Sequence, residues 1–159
     1  MKDEWLEIPD ENRMMNVCER IKVCQIRLGT ARRRHCMGWL GLAQRDLGIA
    51  RDYVETREGF GIRLADRESV QLMLGDVAMQ IELGRLLTMR AAWTLDQGEK
   101  ARKEVSMAKI QVADTLHTAV DTAIQLNGAR GYSKDTVLEW IYRYARQARL
   151  VDGASEVHK

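Results

Sequence analysis

Apolar residues recur at helical spacing along most of this chain, and the clearest example lies in residues 103–124. This segment contains neither glycine nor proline, and its apolar residues follow one another at three or four positions, as on one face of an α-helix. These residues are Val105, Ala108, Val112, Leu116, Ala119 and Ala123. The pattern predicts a long helix from about Glu99 to Asn127.

Three further segments show the same periodicity. They predict a first helix over residues 16 or 17 to 56, a second over about 66–96 and a fourth over about 134–150. Asp66 is a suitable N-cap for the second helix, because its carboxylate accepts hydrogen bonds from free N–H groups. Since the connections between these helices are short, the sequence predicts an all-α fold, an antiparallel four-helix bundle.

The residues before the first helix do not share this pattern. Residues 1–15 are polar, contain Pro9 and show no periodicity, which is typical of an extended segment. A chain of 159 residues is about the length of one domain. We therefore expect a polar lead-in over residues 1–15 and one helical domain over residues 16–159.

Two glycine-bearing turns stand out at helix ends. Residues 125–131 (Gln-Leu-Asn-Gly-Ala-Arg-Gly) end the third helix, and residues 57–64 (Arg-Glu-Gly-Phe-Gly-Ile-Arg-Leu) join the first two. Glycine at such a turn leaves backbone N–H groups open to an anionic ligand, although a helix C-cap alone explains the same pattern. Glycines inside the first helix, at positions 29, 38, 41 and 48, are expected to mark close packing between helices.

Composition excludes several classes of function. The formal net charge of +2 implies no general attraction to nucleic acid or to an anionic membrane. Three cysteines without metal-type spacing indicate reduced thiols, and no apolar run is long enough for a transmembrane segment. The histidines share no metal spacing, so we expect no metal site and interpret His35 and His117 as packing or surface residues.

Five sequence landmarks, taken in order, resemble the C-terminal helical domain of the acyl-CoA dehydrogenases over about residues 27–158. They are Gly41-Leu42-Ala43-Gln44-Arg45, Arg57-x-x-Phe60-Gly61, Gln125 with Gly128 and Gly131, Arg143, and Asp152-Gly153. Residues 28–37 and 152–158 are similar to the branch found fused to aminoglycoside-phosphotransferase-like domains, which acts on long-chain acyl-CoAs. The resemblance implies a four-helix bundle and FAD-dependent α,β-dehydrogenation of acyl-CoA thioesters.

The resemblance also implies roles for individual residues. Those implied to contact the FAD of a neighbouring subunit are Arg57, Phe60, Gln125, Gly128 and Gly131. Asp152 stands where most members carry the glutamate that removes the α-proton, and the first helix offers no carboxylate at residues 29–32, where a minority of members place the base. Arg32 is implied to lie near the CoA-binding region.

The same resemblance implies that the chain is one part of a larger enzyme. Family members carry an N-terminal helical domain and a middle β domain, so residues 1–15 are either a lead-in or the trailing edge of that β domain. The implied partners are acyl-CoA and further copies of the chain, as a dimer or tetramer. The alternative is a non-catalytic oligomerisation or docking module derived from the family. Cytoplasm is the simplest compartment, or mitochondrion or peroxisome in a eukaryote.

Overall fold

The computed structural model describes the backbone of residues 17–159 and the side chains from residue 31 onwards; the predicted lead-in of residues 1–15 lies outside the described residues. The described helices are α1 (Val17–Thr56), α2 (Glu68–Asp96), α3 (Arg102–Asn127), α4 (Ala129–Tyr132), α5 (Leu138–Ala148) and α6 (Ser155–His158). A two-residue hairpin, β1 (Glu58–Gly59) and β2 (Ile62–Arg63), and a 3₁₀ turn (Leu64–Asp66) connect α1 to α2. The predicted all-α class is confirmed.

Helix α3 lies at the centre of the fold and packs against α1, α2 and α5. Every residue of its predicted apolar stripe is buried. The other helices contribute to the same core with Trp39, Ala43 and Ala50 from α1, Val77 and Ile81 from α2, and Leu138, Ile141, Ala145 and Ala148 from α5. Burial of these apolar side chains is the main stabilising term for the bundle.

Two predicted helix starts differ from the structure. Asp66 is not the N-cap of α2, because it lies in the 3₁₀ turn and accepts a hydrogen bond from Arg63 Nε at 3.0 Å. Helix α5 begins at Leu138 rather than near residue 134. Upstream of it, the backbone N–H of Asp135 donates to Ser133 Oγ and that of Leu138 donates to Thr136 Oγ1. Hydroxyl groups that bond nearby backbone in this way compete with helix formation.

The glycines of α1 do not mark close packing. A Cβ atom at Gly38, Gly41 or Gly48 would meet nothing within 4 Å among the described residues, so that expectation is wrong. The close approach is at Gly84 of α2, where a Cβ would lie 3.1 Å from side-chain atoms of both Leu40 and Val112. This glycine lets α2 approach α1 and α3 together.

One face of α2 is apolar and exposed. It consists of Leu72, Met79, Leu83, Leu86, Met89 and Trp93, and we call it the α2 apolar face. Met79 and Met89 are exposed because the neighbouring helices cover only the side of α2 that carries Val70, Val77 and Ile81. Within residues 17–159, no helix combines the length and apolar character needed to cross a membrane.

Candidate active site and cofactor surface

The turn between α5 and α6 presents Asp152 in an uncommon backbone conformation. Asp152 has φ = 57° and the following Gly153 has φ = 100°, so two consecutive residues lie in the left-handed region. Aspartate is one of the few non-glycine side chains that adopts this region without a large steric cost. The backbone N–H of Ser155 donates to the carbonyl of Arg149 at 3.0 Å and closes the turn. The sequence Asp-Gly-Ala-Ser is thus suited to a sharp reversal.

Three side chains, one each from α1, α3 and α6, hold the carbonyl groups of this turn. Arg32 Nε of α1 donates to the Asp152 carbonyl at 3.0 Å, and His158 Nε2 of α6 donates to the same oxygen at 3.1 Å. Lys109 Nζ of α3 donates to the Gly153 carbonyl at 2.8 Å. We call these three donors the carbonyl clamp. Together they fix the backbone from which the Asp152 carboxyl group projects.

The arrangement around His158 determines its tautomer. A carbonyl oxygen only accepts hydrogen bonds, so His158 Nε2 carries the proton and Nδ1 accepts from Ser106 Oγ at 3.3 Å. Burial lowers the pKa of His158, which favours this neutral form. A Cβ atom at residue 153 would lie 2.9 Å from His158 Nε2. Glycine is therefore required at residue 153 by both its φ angle and the position of the imidazole ring.

Lys109 belongs to this candidate site, and the sequence interpretation missed it. Its side chain is fully buried, and burial lowers its pKa, assisted by the nearby charge of Arg32. The sequence does indicate that Lys109 is buried, because it lies at helical spacing between Val105 and Val112 in an otherwise apolar stripe. A buried ammonium group needs polar partners, and the Gly153 carbonyl provides one.

The Asp152 carboxylate has one specific partner. His35 Nδ1 lies 2.6 Å from Asp152 Oδ2, and the His35 ring stacks on the buried Trp39 with ring centroids 5.4 Å apart. His35 thus packs on Trp39, as expected, and it also contacts Asp152, because folding brings α1 against the C-terminal turn. His117 fits that expectation, since it is half-buried and its ring lies against Tyr142.

The other oxygen of this carboxylate is free to accept a proton. The Asp152 side chain is 14 % exposed, and Oδ1 has no hydrogen-bond partner among the described residues. Arg32, predicted near the substrate, contacts the carbonyl of this same residue, so the predicted base and the predicted substrate residue lie together. Such a carboxylate, mostly covered yet with one open oxygen, is suited to general base chemistry.

The predicted cofactor residues after α1 are displayed on the surface. Phe60 is fully exposed at the tip of the β1–β2 hairpin with φ = 56°, an uncommon value for an aromatic residue. The Arg67 guanidinium lies 5.8 Å from the centre of the Phe60 ring and donates to the Gly59 carbonyl at 2.6 Å. Arg57 is exposed, and its guanidinium has no partner within the part of the chain whose side chains are described.

The predicted residues at the end of α3 lie beside the end of α1. Gly128 ends α3 with φ = 59°, as predicted, and Gln125 is exposed. A cleft of about 300 Å³ separates the two helix ends and is lined by Ile49, Asp52, Tyr53, Thr56, Asn127 and Arg130. The predicted cofactor residues do not line this cleft themselves, but Thr56 and Asn127, which do, immediately precede Arg57 and Gly128.

Gly131 has a packing role in the structure. It is buried, and a Cβ atom there would lie 2.9 Å from the backbone of Ile124 and from Asn127 Cβ. Gly131→Ala is therefore expected to destabilise the chain by about 1–3 kcal/mol, because backbone cannot yield easily. Urea unfolding measures the change. Gly75→Ala is the matched control: nothing lies within 4 Å of its added Cβ, and the helix gains up to about 1 kcal/mol. Equal effects of the two substitutions would contradict this role.

Among the described residues, no group of three or more histidine, cysteine, aspartate or glutamate side chains is placed to hold a metal ion. Cys36 is buried beside this region, and burial raises the pKa of its thiol to about 12. Its thiol is thus protonated at neutral pH and unreactive.

Comparison with known proteins gives a consistent result. Residues 21–159 match the family described as "Acyl-CoA dehydrogenase, C-terminal domain". The chain is 37% identical over 155 residues to "Probable acyl-CoA dehydrogenase FadE2" of Mycobacterium tuberculosis, covering 96% of this chain and 38% of that protein. It is also 37% identical to "Acyl-CoA dehydrogenase family member 11" of Rattus norvegicus, covering 96% of this chain and 20% of that protein.

A solved structure shows the same fold. Butyryl-CoA dehydrogenase from Megasphaera elsdenii superposes with a TM-score of 0.83 at 28% identity, over 86% of this chain and 36% of that one. The chain therefore spans well under half the length of these relatives. Because the family match extends over nearly all the described helices, this chain belongs to the acyl-CoA dehydrogenase family and corresponds to its C-terminal helical domain.

Proposed function

We propose that this chain supplies the catalytic base and one wall of the FAD site of an enzyme that dehydrogenates acyl-CoA thioesters between the α- and β-carbons. The observation that carries the proposal is the Asp152 carboxylate, which His35 contacts at Oδ2 and whose Oδ1 has no partner among the described residues. In this reaction Asp152 Oδ1 accepts the α-proton while the β-hydrogen leaves with its electron pair. FAD, when bound, supplies the acceptor for that hydride.

The residues around the cleft at the ends of α1 and α3 fit a dinucleotide. Arg57 offers a pyrophosphate an exposed guanidinium that no described side chain pairs with, and Phe60 offers an exposed aromatic ring. Gln125 offers an exposed amide, and the open backbone at Gly128 allows close approach, since a Cβ there would meet nothing within 4 Å. Gly131 packs inside the turn and so shapes it. We propose that it also contacts the cofactor.

Arg32 is proposed to serve the acyl-CoA substrate as well as the turn. Its Nε is used by the Asp152 carbonyl, whereas its terminal nitrogens have no partner among the described residues. A guanidinium beside the base is suited to a carbonyl or phosphate oxygen of the thioester. Arg32 thus binds the Asp152 carbonyl through Nε and, in this proposal, the substrate through its terminal nitrogens.

The α2 apolar face supports association with a second copy of the chain. A contiguous row of exposed leucine, methionine and tryptophan side chains on one helix is typical of a protein interface. This same face is the observation that favours the second candidate function, a non-catalytic oligomerisation or docking module. Retention of flavin and activity separates the two candidates.

An assembled enzyme tests the proposal. In it, this chain replaces the matched C-terminal segment of the M. tuberculosis relative, so that the other domains are supplied. We expect the assembled enzyme to retain FAD through gel filtration and to oxidise members of a series of acyl-CoA thioesters of different chain length. A folded, oligomeric assembled enzyme that never retains flavin would instead support the docking module.

Arg57→Ala is expected to weaken FAD retention by the assembled enzyme about 10- to 100-fold, because a charge-assisted pair with phosphate is lost. Flavin released on dilution, followed by its fluorescence, measures the change. Arg51→Ala is the matched control, since Arg51 is exposed on the same helix end but pairs with Asp52 at 3.2 Å. Equal loss of flavin from both variants would contradict a specific role for Arg57.

A finer assignment concerns the branch of the family. The chain covers only 20% of the rat relative, which leaves room there for domains beyond a dehydrogenase. Together with the resemblance of residues 28–37 and 152–158, this supports placing the chain in the branch fused to aminoglycoside-phosphotransferase-like domains. A transcript that encodes this chain without any such domain upstream would contradict the placement.

A further inference from the structure

We infer that His35 is a positioning residue for Asp152: it binds Oδ2 and so reserves Oδ1 for the α-proton of the substrate. The inference rests on the proposed function of Asp152 as the base. It concerns a histidine on α1 that is separated from Asp152 by 117 positions along the chain. Three properties of this contact carry the inference.

The first property is the geometry of the contact. The distance of 2.6 Å between His35 Nδ1 and Asp152 Oδ2 is short for a nitrogen–oxygen pair, as expected when the acceptor is a carboxylate. Because an ionised carboxylate only accepts, the imidazole carries its proton on Nδ1 in this state. The Asp152 side chain is 14 % exposed and that of His35 is 36 % exposed, so water competes poorly for the bond at its aspartate end.

The second property is the support on both sides of the contact. On one side, the His35 ring stacks on Trp39, which is buried in the core one helical turn away. On the other side, the carbonyl clamp fixes the backbone of Asp152 through Arg32 and His158. The clamp does not include His35, so the turn keeps its own support when the imidazole is removed. Loss of His35 is therefore expected to free the carboxyl group rather than to unfold the turn.

The third property is that the two carboxylate oxygens have different roles. Without a partner, rotation about the Cβ–Cγ bond exchanges Oδ1 and Oδ2, and the acceptor oxygen has no defined position. With His35 on Oδ2, rotation breaks a charge-assisted hydrogen bond, so Oδ1 stays where it is. Since proton transfer depends on geometry within about 1 Å, misplacement of a base lowers turnover without changing substrate affinity.

The contact is tested first on this chain itself by nuclear magnetic resonance of ¹⁵N-labelled histidine side chains. We expect an exchange-protected Nδ1–H proton signal assigned to His35, shifted downfield by its carboxylate acceptor. The signal should move upfield or disappear in Asp152→Ala and stay in the control His117→Asn. Absence of the signal from the native chain, or its persistence unchanged in Asp152→Ala, would overturn the inference.

The functional consequence is tested in the assembled enzyme. His35→Leu is expected to lower kcat about 10- to 100-fold and to leave KM within about twofold, with unchanged flavin content. His35→Asn, whose amide nitrogen lies near the position of Nδ1, is expected to restore most of the loss. His117→Leu is the matched control and should keep native kcat. Full kcat in His35→Leu, or equal loss in the leucine and asparagine variants, would overturn the inference.

These outcomes separate the inference from the proposed function. An assembled enzyme that is inactive with both His35 and Asp152 in place contradicts the proposed function and, with it, the inference. An active enzyme that depends on Asp152 but is indifferent to His35→Leu contradicts the inference alone. The spectroscopic signal reports the contact independently of flavin and of turnover.

Discussion

Asp152→Asn is expected to slow acyl-CoA oxidation by the assembled enzyme about 100- to 10,000-fold, because an amide does not accept the α-proton. The substitution preserves shape and leaves the fold intact. Asparagine tolerates the left-handed backbone at φ = 57°, and the carbonyl clamp binds backbone oxygen rather than the carboxyl group. His35 Nδ1–H can still donate to the amide oxygen. The loss should thus appear in turnover and leave flavin content unchanged.

The rate of flavin reduction after rapid mixing with acyl-CoA measures this loss. Asp76→Asn is the matched control, because Asp76 is exposed on α2 and belongs to neither candidate site. Full activity in Asp152→Asn would exclude Asp152 as the base. Equal loss in the two variants would show that the effect is not specific to residue 152.

Asp46→Asn is expected to stabilise the chain more at pH 8 than at pH 5, by about 2–3 kcal/mol, because only the carboxylate ionises in this range. Asp46 lies fully buried in α1, and neither of its carboxylate oxygens has a hydrogen-bond partner among the described residues. Burial raises its pKa to about 7, against an ordinary value of 3.8. Ionisation of this group therefore opposes folding.

The sign of the pH dependence follows from that shift. The folded state holds the proton of Asp46 more tightly than the unfolded state, so ionisation of this group costs almost no stability below pH 4. The cost grows between pH 4 and pH 7 and is complete above pH 7. Asparagine does not ionise in this range. The gain from Asp46→Asn should therefore increase with pH.

Urea unfolding of both proteins at pH 5 and pH 8 measures the gain at each pH. Asp76→Asn again serves as the control, because an exposed carboxylate contributes little to stability at either pH. A gain for Asp46→Asn that is the same at both pH values would mean that ionisation is not its cause. A loss of stability at pH 8 would mean that the carboxylate is paired in solution.

Much of the fold follows from the sequence because helical periodicity is a local property. The stripe of α3 predicts burial correctly at every position, and Gly128 marks the end of that helix. Helix starts are harder to predict from the sequence, since they depend on which group the side chain of a capping residue hydrogen-bonds to. Asp66 finds Arg63 instead of the first turn of α2. The exposure of Met79 and Met89 also escapes a periodic pattern, which shows that a face is apolar but not what covers it.

Only part of the candidate site can be predicted from the sequence, for a similar reason. Asp152, Arg32 and the residues at the two helix ends can be identified by resemblance, because each lies in a short recognisable motif. His35 lies in the same segment as Arg32, but the segment does not reveal its contact, since Asp152 is 117 positions away and only the packing of α1 against the C-terminal turn brings the two together. The role of His158 can likewise be recognised only in the fold, where its ring lies beside Gly153 and Ser106.

The central claim, that Asp152 removes the α-proton, is tested most directly by isotope exchange. The assembled enzyme is incubated without oxygen in D₂O with an acyl-CoA thioester, and mass spectrometry measures deuterium at the α-carbon. We expect α-deuteration with native Asp152 and none above background with Asp152→Asn. A flavin-loaded native enzyme that incorporates no deuterium, or an asparagine variant that incorporates as much as the native enzyme, would contradict the account.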